Sequence, residues 1–92
     1  GKGMAGEQNR LDSDEARNIG ERFILDRFHQ GAKIISNEVT ATIMEGVPAY
    51  HLEGVIEVHE RGSFNFRRHH ARYTFRIVLD AVEGGIMSWE VS

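Results

Sequence analysis

From Tyr50 to His59 the chain alternates without a break. Tyr50, Leu52, Gly54, Ile56 and Val58 fall on one side, and His51, Glu53, Val55, Glu57 and His59 on the other. A period of two sends successive side chains to opposite faces of an extended strand, so this segment has one buried face and one wet face. Such a strand cannot stand alone. Its backbone groups need neighbouring strands, and its apolar face needs a cover.

The neighbours are legible on both sides. After Gly31 the period is again two: Val39, Ala41 and Ile43 face one way, and Thr40, Thr42 and Met44 the other. This predicts a first strand over about 34–45, with an irregularity near Ser36-Asn37. Gly46-Val47-Pro48 reads as the turn into the second strand, because proline fixes φ and cannot donate to a central ladder. A third strand is expected over about 70–81, with Tyr73, Phe75, Ile77 and Leu79 inward and Arg72, Thr74, Arg76 and Asp80 outward. Glu83-Gly84-Gly85 supplies a short hairpin loop whose glycines reach positive φ, and Asp80 can cap its own turn. A fourth strand over about 86–91 turns Met87, Trp89 and Val91 inward. On the wet face, if Glu57 sits opposite Thr74, both Arg72 and Arg76 lie on its diagonals.

The cover comes from upstream. Asp12 is a good helix N-cap, and Glu15 three residues later completes a capping box. Asp14 and Glu15 sit where the positive end of the helix dipole favours carboxylates. Ala16, Ile19, Phe23, Ile24 and Phe28 then recur on a 3.6-residue period. The helix is expected over about 13–29, with Gly31 as its C′ residue, His29 near its negative end and Leu25 off the stripe. Gly20 falls inside the stripe at a cost of roughly 1 kcal/mol against alanine. The compensating gain would be close approach of the helix backbone to whatever lies beneath. The expected fold is therefore α+β, with one N-terminal helix packed on a four-stranded antiparallel meander.

Composition bounds the rest. The chain has 92 residues, which is room for one domain. At 40% hydrophobic and 27% charged it reads as folded rather than disordered. Residues 1–10 are polar and glycine-rich and read as a disordered lead-in, with Gly1 to Gly3 a cloning remnant. Residues 11–92 read as a single α+β domain. The start has no apolar stretch that would make it a signal peptide, and no run approaches the ~20 apolar residues of a membrane span. The chain as given reads as cytoplasmic, or as extracytoplasmic if a signal segment has been removed from it. There is no cysteine, so disulfides, thiolate metal ligands and cysteine nucleophiles are excluded. A net charge of −3 argues against a general polyanion binder.

Catalytic and metal chemistry find little purchase. His51 and His59 share a face but stand roughly 27 Å apart along a strand, too far to share a metal. His69 and His70 are neighbours and point to opposite faces. Glu53 and Glu57 are some ~14 Å apart, wider than the ~5–9.5 Å of a glycosidase pair. The serines Ser13, Ser36, Ser63, Ser88 and Ser92 lack the elbow of a nucleophile motif, and no glycine pair follows a phosphate-loop pattern. No catalytic residue, cofactor or metal is expected. One stretch stands out: Arg61-Gly62-Ser63-Phe64-Asn65-Phe66-Arg67-Arg68-His69-His70-Ala71-Arg72-Tyr73. Its arginines could meet anions and its phenylalanines could stack on bases. The expected reading is the plainer one, a long hairpin connection whose phenylalanines pack back on the sheet edge while its charges stay in water. Arg61, Arg67, Arg68, His69, His70 and Arg72 are the candidate binding residues.

Three stretches resemble the PepSY and thermolysin-propeptide family of small domains. Asp14-Glu15-Ala16-Arg17-Asn18-Ile19-Gly20 is similar to the start of that family's helix. Glu45-Gly46-Val47-Pro48-Ala49-Tyr50-His51-Leu52-Glu53-Gly54 is similar to its turn and tyrosine strand. Tyr73 to Ala81 and Gly85 to Glu90 resemble its closing hairpin. The likeness spans about 13–92. It implies a non-catalytic module that holds or restrains a peptidase or binds another envelope partner, and it carries over no catalytic residue. The expected function is a non-enzymatic protein-interaction module, with anion or single-stranded nucleic-acid binding through 61–72 as the alternative. A protein partner or a second copy of the chain is expected at an edge strand; nucleic acid is the less expected ligand.

Overall fold

The computed structural model describes residues 10–28, 31–61 and 68–92; for residues 60, 61 and 68–70 it describes the backbone alone. Helix α1 spans Ser13–Arg27, and four strands follow: β1 Ala32–Met44, β2 Val47–Arg61, β3 Arg68–Asp80 and β4 Ile86–Val91. The strands form one antiparallel sheet in the order β1-β2-β3-β4, with α1 packed on one face. The fold is α+β, as the sequence pattern implies.

Helix α1 starts as its sequence dictates. The Asp12 carboxylate accepts the Glu15 N–H at 2.8 Å, and the Glu15 carboxylate accepts the Asp12 N–H at 3.0 Å, a complete capping box. The helix ends two residues earlier than its apolar period suggests, with Phe28 as the C-cap donating its N–H to the Leu25 carbonyl at 3.1 Å. Gly31 is therefore not the C′ residue. Its positive φ of 74° belongs to the entry into β1, where its carbonyl accepts the His59 N–H at 2.8 Å. A side chain there would press on the His59 carbonyl. His29, expected at the helix end, lies outside the described residues. Gly20 has the expected reason: a Cβ at that position would run into the Leu52 side chain beneath it.

The core lies between α1 and the sheet. Ala16, Ile24, Leu52, Ile56, Phe75, Ile77 and Leu79 have no exposed surface. Leu25, expected off the stripe, is half-buried against the rim of this cluster, as are Ile19, Phe23, Phe28, Tyr50 and Tyr73. The segment before α1 is tied down at both of its polar groups. Leu11 donates its N–H to the Ala81 carbonyl at 2.7 Å, and its carbonyl accepts the Tyr50 hydroxyl at 2.7 Å. Asp80 caps its own turn as expected, accepting the N–H groups of Val82 and Glu83 at 2.7 and 3.1 Å.

Four strand details depart from the sequence reading. Pro48 is not in the turn, which is Glu45-Gly46; it lies inside β2 opposite Ile43. Its carbonyl accepts the Ala81 N–H. Its ring nitrogen thus faces the side of β3, beyond the last β2–β3 pair Ala49↔Asp80, where a missing donor breaks no ladder bond. The irregularity in β1 falls between Ile34 and Ser36, one step before its expected place, and switches the helix-facing set from Ala32 and Ile34 to Asn37 and Val39. A second shift between Val78 and Leu79 puts Ile86 rather than Met87 against the core, opposite Leu79. Met87 is 37% exposed. Trp89 does lie on the helix side, edge-on to Phe23 at 5.5 Å with Arg27 stacked over both rings, yet keeps 46% of its surface exposed. Finally, the face away from the helix is not uniformly wet, since Ala49 and Val78 are buried there.

Candidate functional site

Strands β2 and β3 outrun both neighbours. Strand β1 begins at Ala32, opposite Val58 of β2, and β4 ends at Val91, opposite Phe75 of β3. Beyond those points, among the described residues, the sheet is a two-stranded arm. The β2–β3 register runs into it without a shift, through Glu57↔Arg72 and Val58↔Ala71, where β1 is still paired, to His59↔His70, Glu60↔His69 and Arg61↔Arg68.

Alternation sorts these pairs by face. Glu57↔Arg72, His59↔His70 and Arg61↔Arg68 occupy successive rows on the face away from α1. Glu57 is thus paired with Arg72 directly, not with Thr74, whose partner is Val55. Of the candidate binding residues, the fold brings Arg61, Arg68, His70 and Arg72 to one face. It puts His69 on the other, opposite Glu60. Arg67 lies outside the described residues, as do Phe64 and Phe66.

At the root of the arm one carboxylate serves several bases. Glu57 is only 15% exposed at its side chain. Its Oε1 accepts from Arg72 Nε at 3.1 Å, and its Oε2 lies 2.9 Å from His59 Nε2. Lys33 of β1 holds the register position on its other side. Outward from this row the arm carries cationic or ionisable residues directly opposite their own kind, His against His and then Arg against Arg. Like charges in directly opposed positions destabilise a strand pair.

Further along the same face, at mid-sheet, the sign is opposite. Glu38, Glu53, Arg76 and Glu90 form one row across all four strands. Arg76 lies 3.8 Å from Glu53 and 3.9 Å from Glu90, both as loose, exposed pairs that contribute little stability. The face is therefore polarised, basic on the arm and acidic in a row four residues, ~14 Å, along β2 from Glu57 at the arm's root. Sequence reasoning saw the arginines but not this division. It depends on register: Glu38 meets Glu53 only once the β1–β2 turn is placed at Glu45-Gly46, and Glu90 joins their row only once the extra residue Met87 in β4 is placed.

Among the described residues no three potential ligands converge as a metal site, and no helix is long and apolar enough to cross a membrane. A shallow groove between the outer flank of α1 and β4, lined by Asn18, Ile19, Arg22, Phe23, Asp26 and Ile86, shares no residue with the arm. The arrangement on the arm can bind anions through guanidinium groups, singly or as opposed pairs. Comparison of the chain with protein-family models, curated proteins and solved structures finds no match.

Proposed function

We propose that the chain is a non-enzymatic interaction module whose basic arm engages an acidic segment of a partner protein. The observation that carries this reading is the register that sets Arg61 opposite Arg68, with Arg72 two rows back on the same face. Opposed like charges work against the arm's own pairing, so an element of this kind gains most when an anion neutralises it. Local choices that oppose the fold concentrate where a chain does its work. The module role also agrees with the one implied by the likeness to PepSY-type domains.

A single-stranded nucleic acid is the second reading, favoured by the same paired arginines and by Phe64 and Phe66 in the adjoining connection. The polarity of the face weighs against it. A polyanion longer than the arm would run toward Glu38, Glu53 and Glu90, and the chain as a whole carries −3. A short acidic segment avoids both.

Titration with an acidic polypeptide and with an oligothymidylate across salt concentrations separates the two. The expected result is salt-dependent binding of the polypeptide and negligible binding of the oligonucleotide at about 0.15 M salt, where exposed charges are screened beyond ~8 Å. Tighter oligonucleotide binding, with a log–log salt slope near −2.8 for about four phosphate contacts, would promote the second reading. Failure of both ligands to bind would overturn the module reading.

A further inference from the structure

The arm has an edge as well as a face. Thr74 exchanges both backbone hydrogen bonds with Ser92, at 2.8 and 2.9 Å, so its N–H and C=O point toward β4. In an antiparallel ladder alternate residues point to the same side, and the β2–β3 register runs without a shift. Arg72, His70 and Arg68 therefore direct their N–H and C=O groups to that same side, past the end of β4. Among the described residues no strand pairs with them there. This is a ready-made template for another strand.

Resting on the proposed module role, we infer that the β3 edge from Arg68 to Arg72 accepts an extended acidic segment of a partner protein as an added strand, collinear with β4. Charge complementarity chooses the occupant. A strand laid there would place every second side chain on the face away from α1, beside Arg68, His70 and Arg72, so acids at alternate positions meet the basic rows. A second copy of the chain is a poor occupant, because two-fold pairing of this edge with itself sets Arg68 against Arg72 or Arg72 against His70. The other open edges are less suited. The outer edge of β1 is interrupted by the bulge at Ile34/Ser36, a device that discourages pairing, and β4 is only six residues long.

The test uses the full chain and two short peptides of one composition, glutamate alternating with valine in the first and grouped in the second. The alternating peptide is expected to bind at least about tenfold more tightly, a difference of ~1.4 kcal/mol. Two N-methylated forms of it then read the geometry without altering the protein. Methylation of the amides that face β3 should cost about tenfold or more, and methylation of the intervening amides should leave affinity unchanged. His70→Pro removes an outward N–H and should abolish binding, whereas the β2–β3 ladder keeps its donors. Equal sensitivity to both methylation patterns would overturn strand addition while leaving the module role in place. Absence of binding by either peptide and by the acidic polypeptide would overturn both. Self-association that the alternating peptide displaces would assign the edge to a second copy and refute the acidic partner.

Discussion

Along β2, Leu52 and Ile56 have no exposed surface, whereas Arg61, five residues past Ile56, has among the described residues a single neighbouring strand and an arginine opposite. One strand thus belongs to two regions with opposite economies. Under α1, most positions agree with the fold, apolar inward and polar outward, with glycine where the helix or the β1 bulge comes close; Asn37 is a polar exception on the helix side. On the arm the register sets His59 opposite His70 and Arg61 opposite Arg68, outward of the attracting pair Glu57 and Arg72. The covered region specifies the structure; the arm, on the proposed reading, presents a charged surface to a partner. The contrast predicts that substitutions under the helix move stability and leave binding alone, and that substitutions on the arm do the reverse.

The largest effect belongs to Leu52→Ala. It removes a side chain with no exposure that lies directly beneath Gly20 of α1. A loss of roughly 2–5 kcal/mol is expected, against a total near 5–14 kcal/mol for a chain of this length. Urea denaturation reads it directly. An unchanged midpoint would mean that the helix does not cover this face.

Next is Gly54→Ala. Gly54 sits opposite the β1 bulge, and a Cβ there would strike the Ser36 carbonyl and its flanking backbone. Backbone cannot rotate aside, so overpacking should cost about 1–3 kcal/mol. Gly20→Ala makes the matching control. There the obstacle is the free end of Leu52, which can turn, and alanine regains about 1 kcal/mol of helix propensity. Gly20→Ala should therefore be much the milder of the two. The reverse order would move the tight contact from the bulge to the helix.

This pair of glycines shows what the sequence could and could not tell. Gly20 was readable because it interrupts a helical stripe, and a helix pattern is local. Gly54 looks like any inward position of β2; its constraint comes from a bulge in another strand. The same distinction runs through the molecule. The capping box at Asp12 and Glu15, the inward sets of β2 and β3 and the Asp80 turn follow from neighbours in sequence. Pro48 was misplaced because its tolerance depends on where β3 stops, and Met87 was exchanged for Ile86 because a register shift lies between Val78 and Leu79. The arm is the clearest case. Its arginines are conspicuous in the chain, but nothing local says that Arg61 pairs with Arg68, or that Glu38, Glu53 and Glu90 gather in one row at the middle of the same face.

A smaller effect is expected where the two regions are not in contest. Tyr50→Phe deletes the hydroxyl that donates to the Leu11 carbonyl at 2.7 Å. The phenyl ring keeps its packing, so the loss should be about 0.5–1.5 kcal/mol. Faster amide exchange at Leu11 and in the first turn of α1 would show that the bond fastens the lead-in to the sheet. Uniform change across the sheet would show a general loss instead.

The smallest change in stability carries the sharpest sign. Arg68→Glu puts a carboxylate opposite Arg61 and converts a repelling row into an attracting one. If the opposed arginines work against the arm, the variant should be slightly more stable than the parent, by roughly 0.2–1 kcal/mol, the range for a cross-strand pair. The gain should shrink as salt is added, because both partners are charged. Binding of the alternating acidic peptide should fall at the same time, since the variant places a negative charge where the peptide's own carboxylates would lie. A variant that loses both stability and binding would mean that Arg68 is part of what holds the arm together, and the division between a region that folds and a region that binds would fail at this residue. A variant that gains stability and loses binding locates the cost of the arm in the same side chain that makes it useful.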